Sequence, residues 1–315
     1  MRPPALDRGI AHSVTYLGSD DARRSLEADT YWPKWDSPWW HMLLLHELGE
    51  ARQIPERAVT TMIEGLDAMR LKIFPVRPDE LGDVDPHREA SCHCAVGSMY
   101  QVLAACGVNV DRAVPWFPPW FLRYQMADGG LNCDAAAYLV DECASSMVGT
   151  VPLFEAMLVR REWTLEDRTF ADRAASFLVG RTLTHGSSSV HNAEERDAAP
   201  AWLRPCFPRF YLYDVLRGLA ALVRWAETTN ATLPHEAVSE VIDHLVTTFP
   251  DGVVHVQRHA HLPMRTLARR PDGAWVREPS ASTFPLLDAA SAIGEPSEAL
   301  TRQWSATRRT LLQRW

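Results

Sequence analysis

Five stretches of the chain are apolar around most of the helical circumference, and each is followed by a stretch that is apolar on one face only. The first kind runs over 36–50, 90–107, 145–159, 208–227 and 280–294, and the second over 55–71, 110–125, 165–181, 234–249 and 298–315. An all-round apolar helix is one buried on several sides, whereas a striped helix covers others and faces water. Several of the striped helices begin with a proline near the first turn, where its missing N–H costs least. The one at 110–125 carries Pro115, Pro118 and Pro119 and is expected to break there. Alternating β-branched runs are short, so strand signals are poor.

Buried helices alternating with solvated ones predict an all-α fold. The expected form is an α/α toroid (barrel) of about five or six inner/outer helical hairpins, with an open helical stack as the alternative. Residues 1–30 read as an N-terminal arm, and 31–315 as a single toroid domain. The connections at 72–90, 182–206 and 250–279 exceed ordinary loop lengths and are expected to act as lids, rim strands or binding loops. If the inner helices run the same way, their N-termini share one rim. His41, the Cys92–His93–Cys94 run, Ser145, Ser146 and the aromatics of 206–211 all sit at such starts. Helix dipoles would favour negative charge there, thiolates included.

Composition narrows the class. A formal net charge of −8 over 315 residues argues against a nucleic-acid partner. The first residues lack the apolar run of a secretory signal, and no uncharged apolar run reaches the roughly 20 residues of a membrane span. A cytoplasmic setting with reduced thiols is the expectation, since six cysteines do not suggest a disulfide framework. Twelve tryptophans, clustered in YWPKWDSPWW (31–40) and VPWFPPWF (114–121), are the clearest excess. They predict either heavy packing between helices or an aromatic-lined cavity.

Two segments, ADGGLNCD (127–134) and YLYDVLRGLAAL (211–222), resemble repeats of the terpenoid cyclase and protein prenyltransferase toroids. Those proteins place Asp-Gly-Gly-aromatic turns between an outer and an inner helix, and Tyr-x-x-x-Gly-Leu helices in the inner ring. The resemblance covers architecture and repeat style over about 30–315. It departs from the cyclases in acid chemistry: DVDP (83–86) has Pro86 where their acid motif ends in Asp, and SDDARRSLEAD (19–29) lacks the spacing of a diphosphate site. The prenyltransferases imply a catalytic zinc on Asp, Cys and His. Cys133 and Asp134 are similar to the first two, but Arg209, Phe210 and Tyr211 stand where the later His is wanted. SCHCAVG is similar to the adjacent Cys-His ligand pair, followed by Gly, of the lanthionine-forming cyclases, with its order relative to the other Cys reversed.

Successive helix residues diverge by about 100°, so Cys92, His93 and Cys94 cannot all bind one ion. The expected zinc ligands are His93, Cys133 and one of Cys92 or Cys94, with Asp134 or His41 completing the shell, because thiolate and imidazole suit zinc. The competing reading treats Cys94, Cys106 and Cys143 as small buried hydrophobes; a Cys133–His93 nucleophilic pair is a third. Asp214 and Tyr213 form a polar pair on an apolar helix, and Glu155 and Asp288 interrupt apolar runs. A buried acid needs partners, so each is either a hydrogen-bond hub or a cavity-facing group. HELGE (46–50) resembles a zincin start without its second His, leaving His46 and Glu47 as ordinary helix residues. His255, His259 and His261 read as a solvated loop.

The functional expectation is a zinc-dependent enzyme acting on an apolar, isoprenoid-like or thiol-bearing small-molecule or peptide substrate. Asp134, Asp214 and Tyr213 would be catalytic. Trp35, Trp39, Trp40, His41, Tyr211 and Glu155 would bind substrate. The alternative is a metal-free helical scaffold binding a peptide or protein on its concave face.

Overall fold

The computed structural model describes residues 2–68, 93–138, 140–262, 266–270, 275–278 and 280–314. The DVDP segment and Cys92 lie outside the described residues. Within them the chain is predominantly helical, with one antiparallel hairpin pairing β1 (Thr266–Arg269) with β2 (Trp275–Glu278) in the last long connection.

The apolar stretches become buried helices: α3 (Pro38–Glu47), α5 (His93–Ala105), α8 (Met147–Val159) and α11 (Val215–Thr229). The composition of α3, α5 and α8 leaves no polar stripe, whereas α11 keeps Arg224, Glu227 and Thr228 on an exposed face. In α3 every residue from Pro38 to Leu45 is buried, and in α5 every residue from His93 to Tyr100. Local chemistry sets where they start. Ser146 Oγ accepts the Gly149 N–H at the head of α8, and the Asp214 carboxylate accepts the Arg217 N–H at the head of α11, satisfying amides that a helix start leaves orphaned. Asp214 therefore delays the fourth buried helix until Val215, and residues 208–214 are irregular. The expected buried helix over 280–294 shrinks to α13 (Pro285–Ala290).

The striped segments behave as expected. The proline-rich stretch breaks into α6 (Val110–Ala113) and α7 (Phe117–Arg123). The 182–206 connection contains the short helix α10 (Ala193–Ala198). The other striped helices are α4 (Glu56–Ala68), α9 (Leu165–Gly180, headed by a Thr164/Asp167 capping box), α12 (His235–Thr248) and α14 (Glu298–Arg314). Residues of the expected N-terminal arm form α1 (Pro4–Leu17) and α2 (Asp20–Ala28). Leu6, Ile10, Leu17 and Leu26 join the core, α1 lying on α13 and α2 on α4.

The buried helices pack in sequence, α3 on α5, α5 on α8, α8 on α11, and α14 then packs on α11. From α14 the Arg302 guanidinium donates to the Leu48 carbonyl, just past the end of α3 (3.0 Å). The tightest seam is α5 against α8. A Cβ on Gly97 would stand 2.5 Å from the Pro152 carbonyl group, so only glycine lets these backbones meet. Gly97→Val should force the seam apart and cost about 3 kcal/mol, the upper end of overpacking effects. Urea unfolding would check this, and a variant within about 0.5 kcal/mol of wild type would show the seam to be soft.

Candidate functional site

Polar residues from each of the four buried helices meet at one place. His46 and Glu47 close α3, Gln101 follows the buried run of α5, Glu155 breaks α8 and Arg217 breaks the first turn of α11. Together with Ser98, Arg209 and Gln303 they line a cavity of about 280 Å³, completed by Leu43, Phe207, Phe210 and by Ala299, Leu300, Arg302 and Ala306 of α14. A second cavity of about 410 Å³ shares Gln101, Glu155, Gln303 and Ala306 and continues between α11 and α14 to Arg224, Glu227 and Thr310.

Three arginines line the site: Arg302 is half exposed and donates to the Leu48 carbonyl, while Arg209 and Arg217 are buried and both occupied. Arg217 grips Glu155 (Nε to Oε1 3.0 Å, Nη2 to Oε2 2.6 Å) and donates Nη1 to the Phe210 and Leu212 carbonyls. Arg209 grips Asp214 (Nε to Oδ2 2.7 Å, Nη2 to Oδ1 3.0 Å) and donates Nη1 to Gln303 Oε1. Gln101 Nε2 reaches the Pro152 carbonyl (2.9 Å) and, at 3.4 Å, Glu155.

The remaining polar groups are not so engaged. Glu47 Oε2 accepts the Arg209 backbone N–H (2.9 Å), but its Oε1 is closed to solvent and has no hydrogen-bond partner. Burial raises the Glu47 carboxyl to about 7, against the opposing pull of Arg217 and Arg209. Burial also lowers the neighbouring His46 imidazole to about 4, so His46 is neutral at pH 7. Ser98 is 2% exposed and its Oγ likewise has no partner. A carboxyl able to give or take a proton near neutrality beside a neutral imidazole is acid–base equipment.

The sequence-derived site residues fall in three places. Glu155 alone of the expected substrate-binding residues lines the cavity. Trp35, Trp39 and Trp40 are packed behind its wall, at most 1% exposed, with Trp35 stacked on Phe210 at 4.7 Å. Tyr211 accepts a hydrogen bond from Lys34 Nζ (2.6 Å), which five aromatic rings surround. His41 lies elsewhere, against Ser13 Oγ (3.0 Å) and stacked on Phe284, and burial lowers it to about 3. Of the expected catalytic residues, Asp214 caps α11 and is fully enclosed. Burial opposes its ionisation, but Arg209 and the backbone N–H groups outweigh that and hold the carboxyl below its usual range. Tyr213 donates to the Leu183 carbonyl (2.9 Å), and Asp134, exposed, accepts the Ala136 N–H.

The expected zinc ligands do converge in part. The Cys94 N–H points at Cys133 Sγ (3.3 Å) near the start of α5. His93, however, is completely buried with both ring nitrogens engaged. Its Nδ1 accepts from Trp120 Nε1 (3.1 Å), which leaves Nε2 to donate to the Tyr138 hydroxyl (3.0 Å). Among the described residues no group of three or more His, Cys, Asp or Glu side chains is placed to hold a metal. Asp288 is exposed and accepts from Thr283; His259 bonds the Ser291 carbonyl, and His261 is buried against Trp35 and Phe210. No helix among the described residues is long and apolar enough to cross a membrane.

Comparison with family models, with curated proteins and with solved structures finds no match to this chain.

Proposed function

We propose that the chain is an enzyme built as an α/α toroid, working by general acid–base chemistry in the central cavity with Glu47 as the proton-transferring group. The observation that carries the reading is the Glu47 carboxyl. Burial of the carboxyl raises it to about 7, the residue lines the cavity, and one carboxylate oxygen, closed to solvent, has no protein partner. A proton donor or acceptor works best when its pKa lies near the working pH.

The toroid reading is supported by the order in which α3, α5, α8, α11 and α14 neighbour one another, with Arg302 linking α14 back to the end of α3. On this reading each ring helix contributes to the lining. Glu155, gripped by Arg217, is the fixed second carboxylate, His46 is a neutral proton acceptor, and Gln101 orients Glu155. The cavity suits an isoprenoid poorly, since Phe207 and Phe210 are its aromatic contacts and the tryptophans are packed away.

Screening hydrolase, lyase and transferase substrates should give turnover whose kcat/KM profile has a limb near pH 7. Turnover with no limb between about pH 6 and 8 would remove Glu47 from that role. Tight ligand binding with no turnover of any class would instead make the cavity a binding site on a scaffold.

A further inference from the structure

We propose that the chain carries a second ligand site, separate from the central cavity, for an amphiphilic amine, a small molecule with an apolar body and a cationic end. The site stands whether or not the central cavity is catalytic.

It is a chamber of about 930 Å³ between α1, α13, the start of α14 and residues 253–256. Its origin lies in side-chain length. α1 and α13 meet closely at Gly9, where a Cβ would stand 2.8 Å from the Leu286 Cα. Further along, α1 brings Leu6 and α13 brings Ala289 and Ala290, and the alanines are too short to fill the gap. Leu48, Phe207 and Val256 close the inner side, each at most 5% exposed. Phe207 also lines the central cavity, so its ring is the partition between the two spaces. The volume is at the upper end of ligand sites, which run to roughly 300–1,000 Å³.

The polar groups of the wall are largely engaged with one another. The Val256 and Ser297 N–H groups donate to the Glu295 and Val254 carbonyls (3.0 and 2.9 Å). Thr301 Oγ1 accepts the Val254 N–H (2.9 Å), and Ser297 Oγ accepts the Leu300 N–H (3.3 Å). An apolar body can therefore leave water for this chamber without stripping those groups of their partners.

Charge selects the end group. The charged residues of the lining are Arg2, Asp7, Glu295 and Glu298. Arg2 is already shared among acids, with Glu50 at 2.7 Å, Glu298 at 3.3 Å and Asp7 at 3.9 Å. Arg302, outside the chamber, stands 3.8 Å from Glu298. Asp7 and Glu295 are exposed, and among the described residues neither carboxylate accepts a hydrogen bond. An anionic end would meet carboxylates and one guanidinium that other acids share, whereas a cationic end gains Asp7 and Glu295. Exposed charges contribute little each, so the apolar body supplies most of the affinity and the two acids supply the preference.

Calorimetric titration of the full chain with octylamine, hexylamine, octanol, octanoate and putrescine tests this. Octylamine should bind tightest. Hexylamine should bind about tenfold more weakly because its shorter chain buries less apolar area. Octanol should bind about fivefold more weakly than octylamine, the scale of exposed charge pairs, and octanoate more weakly still. Putrescine, a cation without the apolar body, should give no measurable binding. Asp7→Asn combined with Glu295→Gln should bring octylamine to the level of octanol. Ala292→Trp, which fills the chamber from an exposed position of its lining, should abolish binding of every octyl compound. All three positions are exposed, so these variants should melt like wild type. Octanoate binding as tightly as octylamine, or putrescine binding on its own, would overturn the ligand class. An amine preference that survives the double substitution would overturn the role of the two acids. Binding indifferent to Ala292→Trp would overturn the location, and no binding of any octyl compound would overturn the site.

Discussion

Glu47→Gln is expected to lower kcat by at least about 100-fold, the usual contribution of a positioned acid or base, while making the folded chain more stable above pH 7. The substitution keeps the side chain's shape, and the amide oxygen can still accept the Arg209 backbone N–H that Oε2 accepts now. What disappears is the proton. Stability moves the other way because the folded carboxyl titrates near 7 and an unfolded one near 4.5. A raised carboxyl contributes its stability fully below about pH 4.5, and that contribution is lost as pH rises towards 7. Above 7 wild type therefore carries a penalty of up to about 3 kcal/mol. Glutamine has no such penalty. Urea unfolding of the two proteins should agree near pH 4.5 and diverge by about 1–3 kcal/mol in favour of the variant at pH 8. Loss of activity together with gain of stability is a result that a merely structural Glu47 would not produce. If the variant instead loses stability at every pH, the carboxylate is a structural partner and the acid–base assignment fails.

Asp214→Ala is expected to destabilise the chain by about 4–5 kcal/mol. Its carboxylate is fully enclosed and meets Arg209 twice, the Arg217 and Cys206 N–H groups, and the Cys206 thiol at 3.6 Å. Removing it leaves the Arg209 guanidinium buried and uncompensated, a change that costs about 3–5 kcal/mol, and strips the cap from α11, worth about 1 kcal/mol. The residual Arg209 charge is the larger part, so Asp214→Ala combined with Arg209→Met should recover much of the loss. Denaturant midpoints of the single and double variants decide this. A double variant no more stable than the single one would show that the cap and the backbone N–H bonds matter more than the ion pair.

Some of the fold is readable in the chain without coordinates. The buried helices α3, α5 and α8 are apolar on every face, so no arrangement that exposes one of them is tolerable. The break inside 110–125 falls at Pro115, because proline cannot continue a helix's hydrogen-bond ladder, and Pro118 and Pro119 sit in the first turn of α7. Less readable was where helices end. Asp214 looks like a polar residue in mid-helix until the carboxylate is seen to cap α11, which shortens the expected 208–227 helix and moves Tyr213 and Asp214 away from the cavity.

The candidate site was half legible. Glu155 stood out as an acid in an apolar run, and it does face the cavity. His46 and Glu47 carry the same signal at the end of PWWHMLLLHE, as do Gln101 and Arg217 in their helices. The useful mark was a polar residue interrupting a helix that is otherwise buried all round, taken at every such helix rather than at the acids alone. At the cysteine and histidine cluster, geometry adds what residue type alone leaves out. His93 is a good ligand by chemistry, yet Trp120 and Tyr138 occupy both its nitrogens.

The amino-acid sequence by itself determined that this protein is helical, which helices must be buried, and where prolines interrupt them, because those follow from local backbone chemistry and from how much apolar surface each segment carries. Only the tertiary structure decided which buried polar groups are already satisfied and which are left open. Arg209 and Asp214 are five residues apart, but Arg217 and Glu155 are separated by 62 positions and Glu47 and Arg209 by 162. Such pairings depend on how the helices neighbour one another, and it is the pairings that neutralise Arg209 and Arg217 and leave Glu47 and Ser98 each with a buried oxygen that has no partner.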